Sequence, residues 1–498
     1  LLAARVPRGL RPSLARGSRA PLRLRRARGV VVTIRVAEPR PAHVLAVLFT
    51  GVLAGALDIA IVGPALPALR DAFGVGDRAL SWVFSIYILF NLIGAPLIAN
   101  WSDRYGRRRL YVASVATFAA GSVVVAAAPT FDVLLAGRAI QAFGAGGIFP
   151  VASAVVADTF PPERRGRALG MIGAVFGVAF LLGPLLGGVL LRFGWQWLFL
   201  INVPIALGVI AASFAVLPSG ARRGAGRFDA AGAAVLALLL TAAALGLNRI
   251  DAAGLPRALG SPDVWPLLLA AAALLPLFLA IERRASDPVV PIDLLKGPRL
   301  RAVAVIALAA GLVEAGMVFL PALAVDAFRV DAATASFMMV PLVLALIVGA
   351  PTAGQMLDRV GPRPVIQTGL AATAVGLGLF GIAPLGLATF YTAAGLVGLG
   401  LSALLGAPLR YVMLREAGEA RRGTGQGLLT LCLGAGQLLG AATIGGIAAS
   451  AGKAGAGYAA ALWPLAAVLA ATLPLTFVLD ARRGSDDVPV RDEAEGRS

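Results

Sequence analysis

Apolar positions in this chain neither alternate nor keep to one helical stripe; they form long unbroken runs separated by short polar segments. The runs lie at about 42–66, 80–101, 109–128, 131–156, 168–191 and 198–217, then 230–248 and 264–281. Six more follow at about 302–324, 333–357, 364–385, 387–409, 424–449 and 458–479. About 20 apolar residues suffice for a helix to cross the ~30 Å hydrocarbon layer of a bilayer. A helix also satisfies its own backbone there, where water cannot. The pattern predicts an all-α membrane protein with about 14 transmembrane helices.

The polar segments divide the chain. Residues 1–40 form a basic arm without helical periodicity, predicted to be disordered; residues 41–217 hold a first six-helix bundle. Residues 218–300 carry two inserted spans with their linkers, 301–481 a second six-helix bundle, and 482–498 a cytoplasmic tail. The arm is Arg-rich and acid-poor, as organellar transit peptides are. A flexible cytoplasmic arm and a mis-assigned start are the blander readings. An internal repeat supports two related halves, because Asp103-Arg104-Tyr105-Gly106 ends the second span and Asp358-Arg359-Val360-Gly361 ends the tenth. Without the inserted pair, about 200 residues separate the two turns, a length suited to a six-helix repeat.

Composition narrows the function. Hydrophobic residues make up 58% of the 498 and charged residues 14%, against roughly a quarter charged in soluble domains. Of the net charge of +18, the arm contributes +10, from eleven Arg and one Glu. The basicity is local, and Lys occurs only at Lys296 and Lys453, a bias that fits coding composition better than a nucleic-acid partner. One cysteine, Cys432, and one histidine, His43, exclude a disulfide framework, a zinc site and a Ser-His-Asp triad. With the N-terminus inside, cytoplasmic segments carry 36 Lys and Arg and outer loops seven, so both termini are predicted cytoplasmic. Gly376, Gly378 and Gly381 match a dinucleotide motif but lie in an apolar run with no preceding strand. Gly452-Lys453 lacks the remainder of a phosphate-binding loop. No cofactor, metal or enzymatic centre is expected.

Several motifs resemble those of the major facilitator superfamily, specifically its fourteen-helix drug:proton antiporter branch. The loop after the second span reads Ala99, Asn100, Trp101, Ser102, Asp103, Arg104, Tyr105, Gly106, Arg107 and Arg108, with Ala99 where the family has glycine. Arg138, Gln141, Ala142 and Gly144 match the fourth-helix motif, and Gly183, Pro184, Gly187 and Gly188 the fifth-helix antiporter motif. The first-helix signature appears as Leu57, Asp58, Ile61, Val62, Ala65, Leu66 and Pro67, with Ala60, Gly63 and Pro64 as departures. Trp195, Gln196, Trp197, Phe199, Asn202 and Pro204 resemble a further branch motif in which Gln196 replaces Arg. The resemblance implies a major facilitator fold of two six-helix bundles plus two extra linker helices. In that family the carboxylate at the position of Asp103 meets a helix N-terminus of the other half, where the partial positive charge favours it. Asp103, Arg104, Gly106 and Arg107 are therefore candidate gating residues.

Asp58, Arg138 and Glu314 lie well inside predicted spans. Each costs about 2.5–3.5 kcal/mol at a bilayer centre, so each needs a partner or a wet cavity. Counting along the helices puts Asp58 and Arg138 about 10–12 Å deep and Glu314 about 15 Å. Asp58, Arg138 and Glu314 are expected to handle protons, and Asp58, Gln141 and Glu314 to line the substrate cavity. The plainer readings are a fixed Asp58–Arg138 salt bridge and a packing role for Glu314. Together these features predict a secondary transporter in the cell membrane that exports small amphipathic compounds in exchange for protons. A proton-coupled uptake symporter on the same fold is the alternative.

Overall fold

The computed structural model describes residues 24–27, 30–33, 41–161, 182–218, 229–250, 260–286, 288–290, 292–382, 385–417, 422–450 and 456–479, with 168, 171, 175, 178 and 179. Residues 1–40 and 41–498 form separate compact units. In the first, strands β1 (Leu24–Ala27) and β2 (Val30–Thr33) pair antiparallel with Leu24 opposite Thr33. This hairpin lies in the arm expected to be disordered; a two-stranded hairpin alone is marginal in water. The tail at 482–498 lies outside the described residues.

Among its described residues the second unit contains helices joined by turns, and no strand. Its first bundle contains α1 (Pro41–Phe73), α2 (Trp82–Tyr105), α3 (Arg107–Ala126), α4 (Phe131–Thr159) and α5 (Asn202–Val216). The inserted pair is α6 (Ala230–Asn248) and α7 (Trp265–Glu282). The second bundle contains α8 (Pro298–Phe328), α9 (Val340–Val360), α10 (Pro362–Phe380), α11 (Leu387–Leu405), α12 (Arg422–Ser450) and α13 (Ala456–Ala471). Side-chain caps start several of them. Thr130 accepts the Val133 N–H at 3.4 Å, and Asp331 accepts that of Thr334 at 2.8 Å before the short helix Ala332–Phe337.

Twelve helices among the described residues are long and apolar enough to cross a membrane. The expected count of about 14 differs at two places. The fifth run, 168–191, is described only in part, with 182–190 helical. The run at 364–385 forms α10, which has 19 residues, begins beside Arg363 and stops at Phe380, so it lacks the apolar end expected of it. Other helices are longer than their apolar runs. At 33 residues α1 reaches about 50 Å, beyond the ~30 Å hydrocarbon layer, and carries Arg70 past its apolar part.

Within the first bundle α4 packs between α2 and α3, while α1 lies along α5. In the second, α8 packs on α12 and α11 between α9 and α10. Contacts of α1 with α8 and α2 with α12 join the halves, and α6 leans on both α2 and α12. Glycines set the closest approaches. A Cβ on Gly436 or Gly440 of α12 would strike the backbone of Leu308 or Leu312 on α8, and one on Gly311 would strike Leu433. Small residues at such crossings let membrane helices meet backbone to backbone. The repeated turn also has one physical form, since Gly106 and Gly361 both hold positive φ, 102° and 83°, which a side chain would disfavour.

Candidate functional site

Asp58 on α1 and Arg138 on α4 meet in the middle of the first bundle, both with no solvent exposure. Arg138 Nη1 donates to Asp58 Oδ2 at 2.6 Å and to Gln141 Oε1 at 2.6 Å, and its Nε donates to the Val83 carbonyl at 3.2 Å. The other Asp58 oxygen accepts from Gln141 Nε2 at 2.7 Å and from Asn202 Nδ2 at 2.9 Å. Ser122 on α3 completes the ring, accepting from Gln141 at 2.7 Å and donating to the Phe118 carbonyl at 3.0 Å. The guanidinium lies 4.2 Å from the centre of the Tyr87 ring and 5.6 Å from that of Phe199. Helices α1 to α5 thus each bring at least one side chain to the network around a single charge pair.

The antiporter-motif glycines bring a further segment against α1 just beyond Asp58. A Cβ on Gly183 would come within 2.5 Å of the Ala60 Cβ, and one on Gly187 within 2.7 Å of Pro64. Gly188 faces Phe337 of the second bundle at 2.6 Å by the same measure. Pro184, between them, is part of this helical segment.

Glu314 stands apart from this network. It is half-buried on α8, hydrogen-bonded to Gln437 on α12 and within the field of Arg410. Its level is nevertheless comparable. Gly63 of α1 crosses Val318 of α8 so closely that a Cβ would come within 2.8 Å of the carbonyl. Asp58 precedes that crossing by five residues and Glu314 by four, about 6–8 Å along their helices. Asp58, Arg138 and Gln141 are brought together, and Glu314 sits in the other bundle.

The gating loop is engaged within its own bundle. Asp103 pairs with Arg107 one turn later, and Arg107 also reaches Ser102 Oγ at 2.6 Å and Asp158 Oδ2 at 3.3 Å. Arg104 lies over the Tyr105 ring at 5.6 Å, and Gly106 makes the turn. Among the described residues, Asp103 is held by this i,i+4 pair within its own half, and the contact with the other half that the family resemblance implies is not among them. At the opposite end the halves are joined by polar contacts. Arg70 on α1 donates to Asp326 on α8 at 3.2 Å, and Tyr458 on α13 donates to Asp77 at 2.7 Å. Asn248 at the end of α6 donates to Ser81 Oγ at 2.9 Å and to the Ala442 carbonyl of α12 at 3.3 Å, while accepting from Trp82 Nε1 at 3.2 Å.

Ser122, Tyr87 and the ligand role of Asn202 escape a reading of the sequence. A serine or tyrosine in a membrane helix is ordinary, and Asn202 was visible only as one letter of a motif.

The family model for the Major Facilitator Superfamily matches residues 48–324 and 302–496. The chain belongs to this superfamily. A curated major facilitator relative, an uncharacterized MFS-type transporter YfiU of Bacillus subtilis (strain 168), is 36% identical over 77% of this chain and 75% of its own length. Multidrug resistance protein 3 of the same bacterium is 28% identical over 66% of the chain, which spans 64% of that protein. Two further relatives are matched over 48% of their length. Among solved major facilitator structures, a bacterial homolog of the human lysosomal transporter Spinster superposes with a TM-score of 0.63 at 17% identity, covering 89% of this chain and 97% of that one. The protein is a membrane transporter of this superfamily and not an enzyme.

Proposed function

We propose that this major facilitator protein exports small amphipathic compounds across the bacterial cell membrane in exchange for protons, as a member of the superfamily's drug:proton antiporter branch. The observation that carries the reading is the Asp58 network: a carboxylate with no solvent exposure, held by Arg138, Gln141 and Asn202 inside a membrane bundle. Such a group is costly in a membrane, and intramembrane carboxylates of this kind mark ion pathways and proton relays. Support for export comes from the antiporter-motif glycines packed on α1 beside this network and from relatives named for multidrug resistance. Asp58 carries the coupling proton, Arg138 competes with that proton for the carboxylate, and Glu314 anchors cationic substrates from the second bundle. Alternating opening of the two halves delivers Asp58 to each side in turn.

Transport into inverted vesicles, with a panel of dyes and antibiotics under an imposed pH gradient, tests this. Uptake driven by an acid interior is expected from the native protein, and Asp58→Asn should abolish it while still reaching the membrane. Undiminished gradient-driven transport by Asp58→Asn would move the coupling carboxylate elsewhere. The opposite gradient dependence would mean proton-coupled uptake on the same fold.

A further inference from the structure

The two inserted helices bring together a pair of acids that the Asp58 network does not involve. Asp229 caps the start of α6 and Glu282 is the last residue of α7, so both stand at one foot of the hairpin. Each carboxylate is half satisfied. Asp229 Oδ1 accepts the Gly232 N–H at 2.8 Å, and Glu282 Oε2 accepts the Val290 N–H at 3.1 Å. The remaining oxygens, Asp229 Oδ2 and Glu282 Oε1, are buried and have no hydrogen-bond partner among the described residues. Glu282 as a whole is 3% exposed.

These two orphan oxygens open on the same space. A Cβ on Gly232 would come within 2.8 Å of Glu282 Oε1 and would strike Asp229 Oδ2. Glycine is therefore what allows the carboxylates to face each other. Among the described residues the charged group acting on Glu282 is Asp229, and the N–H groups of Val289 and Val290 face it from the following loop. Arg283 and Arg284, next along the chain, are exposed. Two carboxylates sharing a buried site do not both ionise readily; one keeps a proton. A bound calcium or magnesium ion takes six or more oxygens, and no group of three acidic, His or Cys residues fit to hold a metal occurs among the described residues.

We propose that Glu282 holds a proton and donates it to the facing Asp229 carboxylate, and that this bond clasps the feet of the two inserted helices. The site is distinct from Asp58. The clasp is closed while the pair holds its proton and opens as rising pH removes it, leaving two anions face to face.

The test uses the purified full-length protein in lipid nanodiscs without substrate, so its outcome is independent of the transport reading. Infrared spectra should show a carboxylic-acid carbonyl band that is missing from Glu282→Gln and that converts to carboxylate as pH rises. The melting temperature of the native protein should fall over that pH range. In Glu282→Gln the amide is a permanent donor to Asp229, so its melting temperature should stay level. Asp229→Asn, which keeps the cap, should behave likewise and carries the same tests if Glu282→Gln fails to fold. An unchanged infrared band in both variants, or melting below the native protein at every pH in both, overturns the proposal. So does a native melting temperature that rises with added sodium, potassium, magnesium or calcium at constant ionic strength, because a metal ion would then fill the gap.

Discussion

The guanidinium of Arg138 is held by a carboxylate, an amide, a backbone carbonyl and two aromatic rings, while its Nη2, like the Tyr87 hydroxyl, has no hydrogen bond among the described residues. Removing it leaves Asp58 with two amide donors in a dry interior. Breaking a buried ion pair from one side costs about 3–5 kcal/mol, so Arg138→Ala should lower the stability of the purified protein by an amount of that order, measured by thermal or denaturant unfolding. Arg138→Ala paired with Asp58→Asn should recover much of the loss, because no uncompensated charge remains. Recovery in the double variant but no transport would separate a folding role from a coupling role. Glu314 differs in kind. Half-buried in the second bundle and bonded there to Gln437, it should matter to what is carried: Glu314→Gln should impair transport of cationic dyes several-fold and of neutral ones little. At this scale the sequence exposes charges well, since a lone Asp or Arg in an apolar run is conspicuous. It hides their partners, because Ser122, Tyr87 and Asn202 are common residues whose convergence from three helices exists only in the fold. Asp229 and Glu282 were hidden for the opposite reason, as each stands where a span ends and charge is expected.

Helices that pack through glycine have little room for error. Gly436 and Gly440 of α12 lie against the α8 backbone at Leu308 and Leu312, and Gly311 of α8 lies against Leu433. In Gly436→Leu the added side chain has nowhere to go, so α8 and α12 must separate, and Glu314 and Gln437 with them. The expected result is a large drop in melting temperature together with lost transport; Gly427→Leu on the same helix, where a Cβ meets nothing within 4 Å, is the control and should be tolerated. Helix starts respond to pH in a defined direction. Hydrogen bonds from the Thr334 backbone and hydroxyl hold the Asp331 carboxyl below the usual carboxylate range. Its contribution to the helix Ala332–Phe337 is therefore present above that range and lost as pH falls through the lowered value. At the scale of elements, most spans could be read from apolar runs, and their true ends could not. Pro64 and Pro67 sit inside α1, which continues to Phe73 because its outer turns pack on neighbours that no local pattern reveals. The run at 364–385 failed at its far end, where helix α10 stops at Phe380.

For the molecule as a whole, the repeat suggested two related halves and the charge bias an orientation, but neither said which end of the assembly is shut. That is decided by contacts between residues hundreds of positions apart. At the end predicted to face outward, Arg70 to Asp326, Tyr458 to Asp77, and Asn248 to Ser81, Trp82 and Ala442 all tie the first half to the second. Asn248 gives the inserted helix α6 a part in this closure, since its one amide engages elements of both bundles. At the other end, Asp103 is bound to Arg107 of its own half. On the proposed alternating cycle, Asp103 reaches the second bundle in the state whose outer contacts are open. Asp326→Asn removes the second half's charge from Arg70, leaving it Asp71 and Asp77 of its own half, and should loosen the outward-facing end; Asn248→Ala should do so further by freeing Ser81 and Trp82. Asp103→Asn should act in the reverse sense: it leaves the outer contacts intact and weakens the inward-side contact of the other state by on the order of 1 kcal/mol. Cysteines placed at each end, in a background with Cys432 replaced, report these shifts through their labelling rates. Asp326→Asn should raise labelling at the outer end and lower it at the inner one, whereas Asp103→Asn should raise it at the inner end. Labelling of both ends rising together in either variant would show general loosening of the fold, and the two closures would then not be alternatives in one cycle.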